Sequence, residues 1–144
     1  MGTTKIDVRT TLPVPPSVVY RRLADRSSWP EWSGHDRAEL VEPATSGGDG
    51  VGAVWVMHRG RRTRARERVV ELTPEHRVAY TLLSGLPLTD YRAGFDLAPH
   101  GDGTEVHWHS EFRARTGTGW IYRFALATFM QRGLAKLGAL GTSA

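Results

Sequence analysis

Apolar and polar residues alternate along much of the chain, and this two-residue period is typical of β-strands that bury one face and expose the other. The clearest case begins at Arg61, because arginines occupy positions 62, 64, 66 and 68 and must face water. Turns that contain glycine or proline separate the alternating segments, so consecutive strands are expected to be antiparallel neighbours. Seven strands are predicted: Lys5–Leu12, Arg37–Glu42, Gly52–Arg59, Arg61–Leu72, Arg77–Leu83, Thr89–Leu97 and Thr104–Arg113.

Two short helices are predicted between the first and second strands. Pro15 and Pro16 suit the start of a helix, because the fixed φ of proline fits there and its missing N–H is not needed. Ser28 and Glu31 have the spacing of a capping box, which predicts that a second short helix begins at Ser28. This second helix would carry two tryptophans, Trp29 and Trp32.

A single long helix is predicted from Thr118 to Leu140, with Thr118 as its N-cap. At 100° per residue, its apolar side chains fall on one broad face, which indicates packing against the sheet. Gly133 lies in the middle of this face, where a missing side chain lets a strand or a ligand approach closely. The predicted apolar face contains Tyr122, Leu126, Phe129, Met130, Gly133, Leu137 and Leu140.

The predicted order of elements is one strand, two short helices, six strands and a long helix. This order, the Pro15-Pro16 helix start and the turn Trp29-Pro-Glu-Trp32 resemble the polyketide cyclase/dehydrase and lipid transport superfamily, which has the START-like or helix-grip fold. The resemblance covers nearly the whole chain, so residues 1–144 are expected to form one domain. It implies an α+β fold in which a curved antiparallel seven-stranded sheet wraps around a long C-terminal helix, with an apolar pocket between them.

Strand alternation also predicts which side chains point towards the long helix. The inward set is rich in aromatic rings that carry a single polar atom, such as those of Tyr80 and Trp108. Such residues also fill ordinary cores, and only the family resemblance favours a ligand pocket over a packed interior. The ligand-binding candidates are Trp55, Glu67, Val69, Tyr80, Tyr91, Phe95, Trp108, Tyr122, Leu126, Phe129 and Met130.

Glu67 is the most unusual residue of the inward face and is the candidate for catalysis. A carboxylate is costly to remove from water unless a polar partner compensates it. In a pocket, Glu67 could anchor a ligand hydroxyl or act as a general acid or base. The alternative is that Glu67 lies solvated at the pocket rim or pairs with an arginine such as Arg123.

The chain has 144 residues, no cysteine and a formal net charge of +4. The lack of cysteine excludes disulfides, thiol catalysis and cysteine metal sites, and no apolar run reaches the length of a membrane span. The arginine-rich strand is expected to be a solvated outer face, because no aromatic residues alternate with the arginines as they do in single-strand nucleic-acid binders. No cofactor, nucleic-acid partner or membrane insertion is expected, and a cytoplasmic monomer or weak dimer is predicted.

His107 and His109 form a His-x-His pair on one strand face, a geometry that can bind a metal ion. Glu105 and Glu111 flank the two histidines on the same face. Alternating polar residues are more typical of the solvent-exposed side of a strand than of a metal site, so no metal site is predicted.

The predicted function is the binding of a hydrophobic small molecule, such as a polyketide, lipid or isoprenoid, in an internal cavity. The segment from Gly103 to Gly117 is also similar to the final strand of aromatase/cyclases, so a polyketide cyclase or dehydratase that uses Glu67 and a tyrosine is the first alternative. The resemblance is incomplete, because those enzymes carry an inward arginine where Val69 stands and a tyrosine near Asp36. A basic nucleic-acid or partner-binding module, which only the arginines suggest, is the second alternative.

Overall fold

The computed structural model describes residues 2–142, with side chains described up to residue 139. Leu140, predicted on the apolar face of the long helix, therefore has a side chain outside the described residues. The strands are β1 (Thr4–Leu12), β2 (Arg37–Glu42), β3 (Val54–Arg59), β4 (Thr63–Thr73), β5 (Arg77–Ser84), β6 (Leu88–His100) and β7 (Gly103–Ala114). The helices are α1 (Pro16–Ala24), the 3₁₀ helix Arg26–Glu31 and α2 (Gly119–Thr142).

The strands form one antiparallel sheet in the order β1-β7-β6-β5-β4-β3-β2. The register shifts near Leu40, Arg66, Val69 and Thr89, and bulges of this kind bend a strand and increase its twist. The curved sheet packs against α2 through β1 and β7, and against α1 through β5, β6 and β7. The predicted α+β helix-grip fold is therefore confirmed.

The predicted start of the second short helix is wrong. The 3₁₀ helix begins at Arg26, two residues before Ser28, and the Asp25 carboxylate caps it by accepting from the backbone N–H of Ser27 at 3.1 Å. The Ser28 hydroxyl instead donates to the carbonyl of Arg22 at 2.8 Å. The aspartate therefore takes the capping role that the Ser28–Glu31 spacing suggested for the serine.

Four aromatic rings form the centre of the core and are called the aromatic cluster: Trp29, Trp32, Phe95 and Trp108. All four side chains are almost completely buried. The Phe95 and Trp108 rings stack with centroids 4.6 Å apart, and the Trp29 and Trp32 centroids are 5.1 Å apart. The Trp29 indole N–H donates to the carbonyl of Leu23 at 2.9 Å, which ties the 3₁₀ helix to the end of α1.

Helix α2 packs one face against the sheet and exposes large apolar residues elsewhere. A Cβ at Gly133 would lie 3.2 Å from the Trp108 ring. The missing side chain thus allows α2 and the β7 residue Trp108 to approach closely, as its place in the apolar face predicts. Leu134, not assigned to the apolar face from the sequence, is also buried. Trp120 and Phe124 lie at the other extreme, with 72% and 75% of their surface exposed.

The outer face of β4 carries the predicted row of arginines. The Arg66 and Arg68 guanidinium groups lie 3.0 Å and 3.8 Å from the two carboxylate oxygens of Glu42. Exposed ion pairs of this kind typically contribute about 0–1 kcal/mol to stability, so the main effect of the row is to keep this face solvated. Among the helices of residues 2–142, none combines the length and the apolar composition needed to cross a membrane.

Candidate functional site

A cavity of about 240 Å³ lies between the inner face of the sheet and α2. Small side chains from β4, Thr63 and Ala65, leave space opposite the larger residues of α2. The walls are mainly apolar, as expected for a small-molecule site with a few polar groups. The lining residues are Trp29, His35, Arg59, Thr63, Ala65, Glu67, Tyr80, Leu86, Leu88, Tyr91, Trp108, Tyr122, Ala125, Leu126, Phe129 and Met130.

Most of the residues predicted from strand and helix periodicity line this one cavity. β4, β5, β6 and β7 contribute the predicted side chains from the sheet, and α2 contributes the others across the void. The predicted residues in the lining are Glu67, Tyr80, Tyr91, Trp108, Tyr122, Leu126, Phe129 and Met130.

Three predicted residues, Trp55, Val69 and Phe95, are buried but do not line the cavity. Val69 lies further along β4 than Thr63, Ala65 and the rest of the lined segment. Phe95 is held in the aromatic cluster, and Trp55 lies on β3, directly opposite Glu67 in the register. Alternation assigns a side chain to a face of the sheet, but it does not say where along the strand that face is hollow.

Other lining residues were not among the predicted site residues. Alternation places Thr63 and Ala65 on the inward side of β4, but small residues give no signal of a ligand site by themselves. His35 lies in the loop after the 3₁₀ helix and Leu86 in the turn after β5, where no periodicity applies. These loop residues enter the cavity only because the long-range packing brings their loops to its edge.

Glu67 is buried in a salt bridge with Arg26, and not with Arg123. The Arg26 Nη1 and Glu67 Oε1 atoms are 2.5 Å apart, and the two side chains are only 2% and 10% exposed. The guanidinium also lies over the rings of Trp29 and Tyr80, at 3.8 Å and 4.4 Å from their centroids. The pairing compensates the carboxylate charge, which makes the cavity wall at Glu67 close to neutral.

Arg123, the partner suggested for Glu67, is instead on the exposed side of α2. Its Nε–H donates to the backbone carbonyl of Lys5 in β1 at 3.2 Å. This contact ties the beginning of α2 to the edge strand. No sequence pattern singles out Arg26 as the partner, because it lies 41 positions from Glu67 and reaches it only when the 3₁₀ helix packs on the sheet.

Two tyrosine hydroxyls give the cavity its fixed polar positions. The Trp108 indole N–H donates to the Tyr80 hydroxyl oxygen at 3.2 Å. Burial raises the pKa of Tyr80 well above its ordinary value, and burial likewise raises the pKa of Tyr91. Both hydroxyls therefore stay protonated near neutral pH, and because the two tyrosines are hydrogen-bonded to each other, they offer a ligand a joint polar site and not two free donors.

His35 is a titratable residue of the cavity that was not among the residues predicted from the sequence. Burial lowers the pKa of His35 to about 4, and the positive charges of Arg26 and Arg59 act in the same direction. The Ser33 hydroxyl oxygen lies 2.7 Å from Nδ1 of His35, and the Phe129 ring centroid is 5.2 Å from that of the imidazole. His35 is therefore neutral at pH 7 and adds no charge to the cavity.

The predicted His-x-His pair lies on the outer face of the sheet, away from the cavity. His107 and His109 join Asp96 in a group whose potential ligand atoms lie within 4.8 Å of one another. The ring nitrogens already face carboxylates, since His107 Nε2 lies 2.6 Å from Asp7 Oδ1 and His109 Nε2 lies 2.9 Å from Asp96 Oδ2. The expected absence of a metal site stays a prediction.

Comparison with known families agrees with the fold. A family model described as polyketide cyclase/dehydrase and lipid transport matches residues 3–141. The chain belongs to this family. The family description supports hydrophobic ligand binding in general, and it distinguishes neither a particular ligand nor a reaction. No curated protein matches the sequence significantly.

Solved structures with the same architecture come from bacteria and plants. An uncharacterised protein from Bacillus thuringiensis has a TM-score of 0.79 at 13% identity, over 96% of this chain and 99% of that chain. A protein from Chromobacterium violaceum has a TM-score of 0.72 at 21% identity, over 94% of this chain and 96% of that chain. Ginseng major latex-like protein 151 from Panax ginseng has a TM-score of 0.76 at 16% identity, over 96% and 97% of the two chains. At these identities the likeness concerns the fold alone.

Proposed function

We propose that this protein binds a hydrophobic small molecule, such as a polyketide, lipid or isoprenoid, in the cavity beneath α2. The observation that carries the proposal is a void of about 240 Å³ with mainly apolar walls inside a domain whose neighbouring core is tightly packed. Protein interiors are close-packed, and water that fills a mainly apolar space of this size finds few hydrogen-bond partners there, so an apolar ligand displaces it favourably. The void is therefore best explained as a binding site.

The polar groups of the cavity suit orientation more than catalysis. The Tyr80 and Tyr91 hydroxyls are polar groups in fixed positions, and Glu67 is paired with Arg26. Affinity would come mainly from apolar burial, at about 25 cal/mol for each Å² removed from water. A ligand with one or two hydroxyl or carbonyl groups on an apolar frame fits this distribution.

Native mass spectrometry of the protein as purified tests the proposal. A bound mass in the range of small lipids or polyketides, released on denaturation, is the expected result. The Ala65→Phe variant is the matched comparison, because the added ring would occupy the cavity and should exclude the same ligand. Binding that is equal in both proteins would place the ligand elsewhere.

A polyketide cyclase or dehydratase is the second candidate function. The observation in its favour is that His35 and Glu67, a neutral base and a carboxylate, line the same cavity. If the cavity is catalytic, His35→Gln or Glu67→Gln should abolish turnover of an aromatic polyketide mimic while the mimic still binds. Under the binding function alone, no turnover occurs in any variant and only affinity changes.

The remaining partner predictions follow from the outer surface. The outward arginines Arg66 and Arg68 are neutralised in part by Glu42, and none of the aromatic rings in the aromatic cluster faces that side. We therefore expect no nucleic-acid binding at this face. The expectations of no membrane insertion, no cofactor and a monomer or weak dimer stay predictions from the sequence. Size-exclusion chromatography with light scattering measures the oligomeric state directly.

A further inference from the structure

A second concavity, here called the basic groove, lies beside the cavity and has about 410 Å³ of space. Three cationic side chains line it, Arg59 from the end of β3 and Arg132 and Lys136 from α2, together with the rings of Phe124 and Phe129. No carboxylate is among its lining residues in the described part of the chain. The groove is thus a basic surface with an aromatic floor.

The three cations also lack acidic partners elsewhere. Within residues 2–142, no salt bridge involves Arg59, Arg132 or Lys136, whereas Arg66 and Arg68 on the outer sheet face share Glu42. Like charges that converge on one concave surface create a positive potential that attracts anions. The basic groove therefore differs from Arg66 and Arg68 of β4, whose charges Glu42 partly compensates.

Arg59 connects the basic groove to the cavity. It is the only arginine or lysine that lines the cavity among the described residues, and it lines the basic groove as well. Ala125 and Phe129 are likewise common to both walls. The Arg59 guanidinium carbon lies 5.4 Å from the centroid of the Phe129 ring, so the cation is held at the boundary between the two spaces.

Among the described residues that line the cavity, no other side chain offers a positive charge to an anionic ligand. Arg26 is already paired with Glu67 at 2.5 Å, and His35 is neutral at pH 7. Arg26 is not among the residues that line the cavity, although its Nε and Nη2 have no hydrogen-bond partner. An anionic group placed beside it would also lie next to the Glu67 carboxylate, which already balances the Arg26 charge. At Arg59, by contrast, the same group would meet a guanidinium with no carboxylate partner while its apolar body stays in the cavity.

We propose that the natural ligand is an amphipathic anion whose apolar body fills the cavity and whose carboxylate, phosphate or sulfate-like group binds Arg59 at the edge of the basic groove. This inference rests on the proposed function and specifies its ligand class. Arg132 and Lys136 add long-range attraction and extend the anion site along α2. Guanidinium groups suit this role because they bind oxyanions through two parallel N–H donors.

Two fluorescent probes with the same apolar body separate the anion site from the cavity. N-phenylnaphthylamine is uncharged, and anilinonaphthalene sulfonate carries one negative charge on the same ring system. Arg59→Gln should weaken the sulfonate by about tenfold, the loss expected for a charge-assisted hydrogen bond, and leave the neutral probe within twofold. Arg62→Gln is the matched control, because it removes one exposed charge from the hairpin between β3 and β4 without touching either space.

Each outcome decides between the two proposals. If the neutral probe does not bind the unmodified protein, the cavity proposal fails. If it binds and Arg59→Gln weakens both probes equally or neither, the cavity stands and the anion inference fails. Equal effects of Arg59→Gln and Arg62→Gln on the sulfonate would show general attraction by net charge and would also overturn the inference.

Competition by natural headgroup chemistries identifies the source of the anion. Dodecanoate and dodecyl phosphate present a carboxylate and a phosphate on the same chain, and dodecanol presents neither. Both anions should displace the neutral probe at lower concentration than dodecanol in the unmodified protein, and this advantage should vanish in Arg59→Gln. The anion that displaces the probe at the lower concentration identifies the preferred headgroup. Equal displacement by all three compounds would contradict the inference.

Discussion

The interior of this protein has a packed end and a hollow end, and both lie between the same sheet and helices. At the packed end, Phe95 stacks on Trp108 with ring centroids 4.6 Å apart, and Trp32 is completely buried beside them. At the hollow end, β4 presents Thr63 and Ala65, and a void of about 240 Å³ remains. Two features accompany the difference: β4 carries small side chains at the hollow end, and α2 approaches the sheet mainly at β1 and β7. Small residues on β4 therefore help to decide where a ligand can enter.

Truncating a side chain at the packed end should lower the free energy of unfolding far more than truncating one at the hollow end. Phe95→Ala should lower the free energy of unfolding by about 3–5 kcal/mol, because it removes a fully buried ring from close contacts. Leu126→Ala should cost about 1 kcal/mol, because Leu126 is half-buried and already borders empty space. Urea denaturation of both variants measures the difference, and equal losses would mean that the two ends are packed alike.

The next largest loss of unfolding free energy is expected at the buried Arg26–Glu67 ion pair, which lies between the packed end and the hollow end. Glu67→Gln should lower the free energy of unfolding by about 3 kcal/mol, because it leaves the Arg26 charge buried without a counter-ion. The double variant Arg26→Met/Glu67→Leu should recover most of that loss, since neither charge then needs compensation. A double variant no more stable than Glu67→Gln would show that the cost is lost packing and not the unpaired charge.

His35 should make stability depend on pH at the hollow end. Its pKa is lowered to about 4 in the folded protein, below the ordinary value of 6.5, so the unfolded chain binds the proton more tightly. Stability should therefore fall as the pH drops from about 6.5 towards 4, with His35 accounting for about 2 kcal/mol between pH 7 and pH 4.5. Well above pH 6.5, both states are neutral at His35 and the effect vanishes.

The measurement compares the pH dependence of unfolding in the unmodified protein and in His35→Gln. Other acidic groups titrate in the same range in both proteins, so only the difference between the two curves reports His35. The curves should diverge below pH 6.5. Parallel curves would mean that the imidazole is solvated and that the loop does not seal the cavity edge.

The outer face of the sheet should show the smallest effects. Arg64→Gln is expected to change the free energy of unfolding by less than about 0.5 kcal/mol, because Arg64 is exposed and in no ion pair among the described residues. Titration with a fluorescent DNA duplex at physiological salt should show no binding. Tight binding that Arg64→Gln weakens would assign the outer face a nucleic-acid function.

The sequence predicts the strands and the long helix well because alternation and turn chemistry operate locally, whereas the curved sheet around the helix was expected from the family resemblance. The strand faces, the long helix and the inward set that includes Tyr80 and Trp108 all follow from period and spacing. The Arg26–Glu67 pair and the position of His35 do not, because they depend on how the 3₁₀ helix and its following loop dock on the sheet. The position of the void likewise depends on summed volumes of residues distant in the chain, which no local pattern records.

Binding of uncharged N-phenylnaphthylamine to two phenylalanine variants tests the central claim most directly. Ala65→Phe places a ring inside the cavity, whereas Ala79→Phe places the same ring in a depression on the outer face of the sheet. If both variants remain folded by circular dichroism, Ala65→Phe should abolish the fluorescence enhancement of the probe and Ala79→Phe should leave it unchanged. Full binding by the folded Ala65→Phe variant, or loss of binding in Ala79→Phe alone, would contradict a ligand site between the sheet and α2.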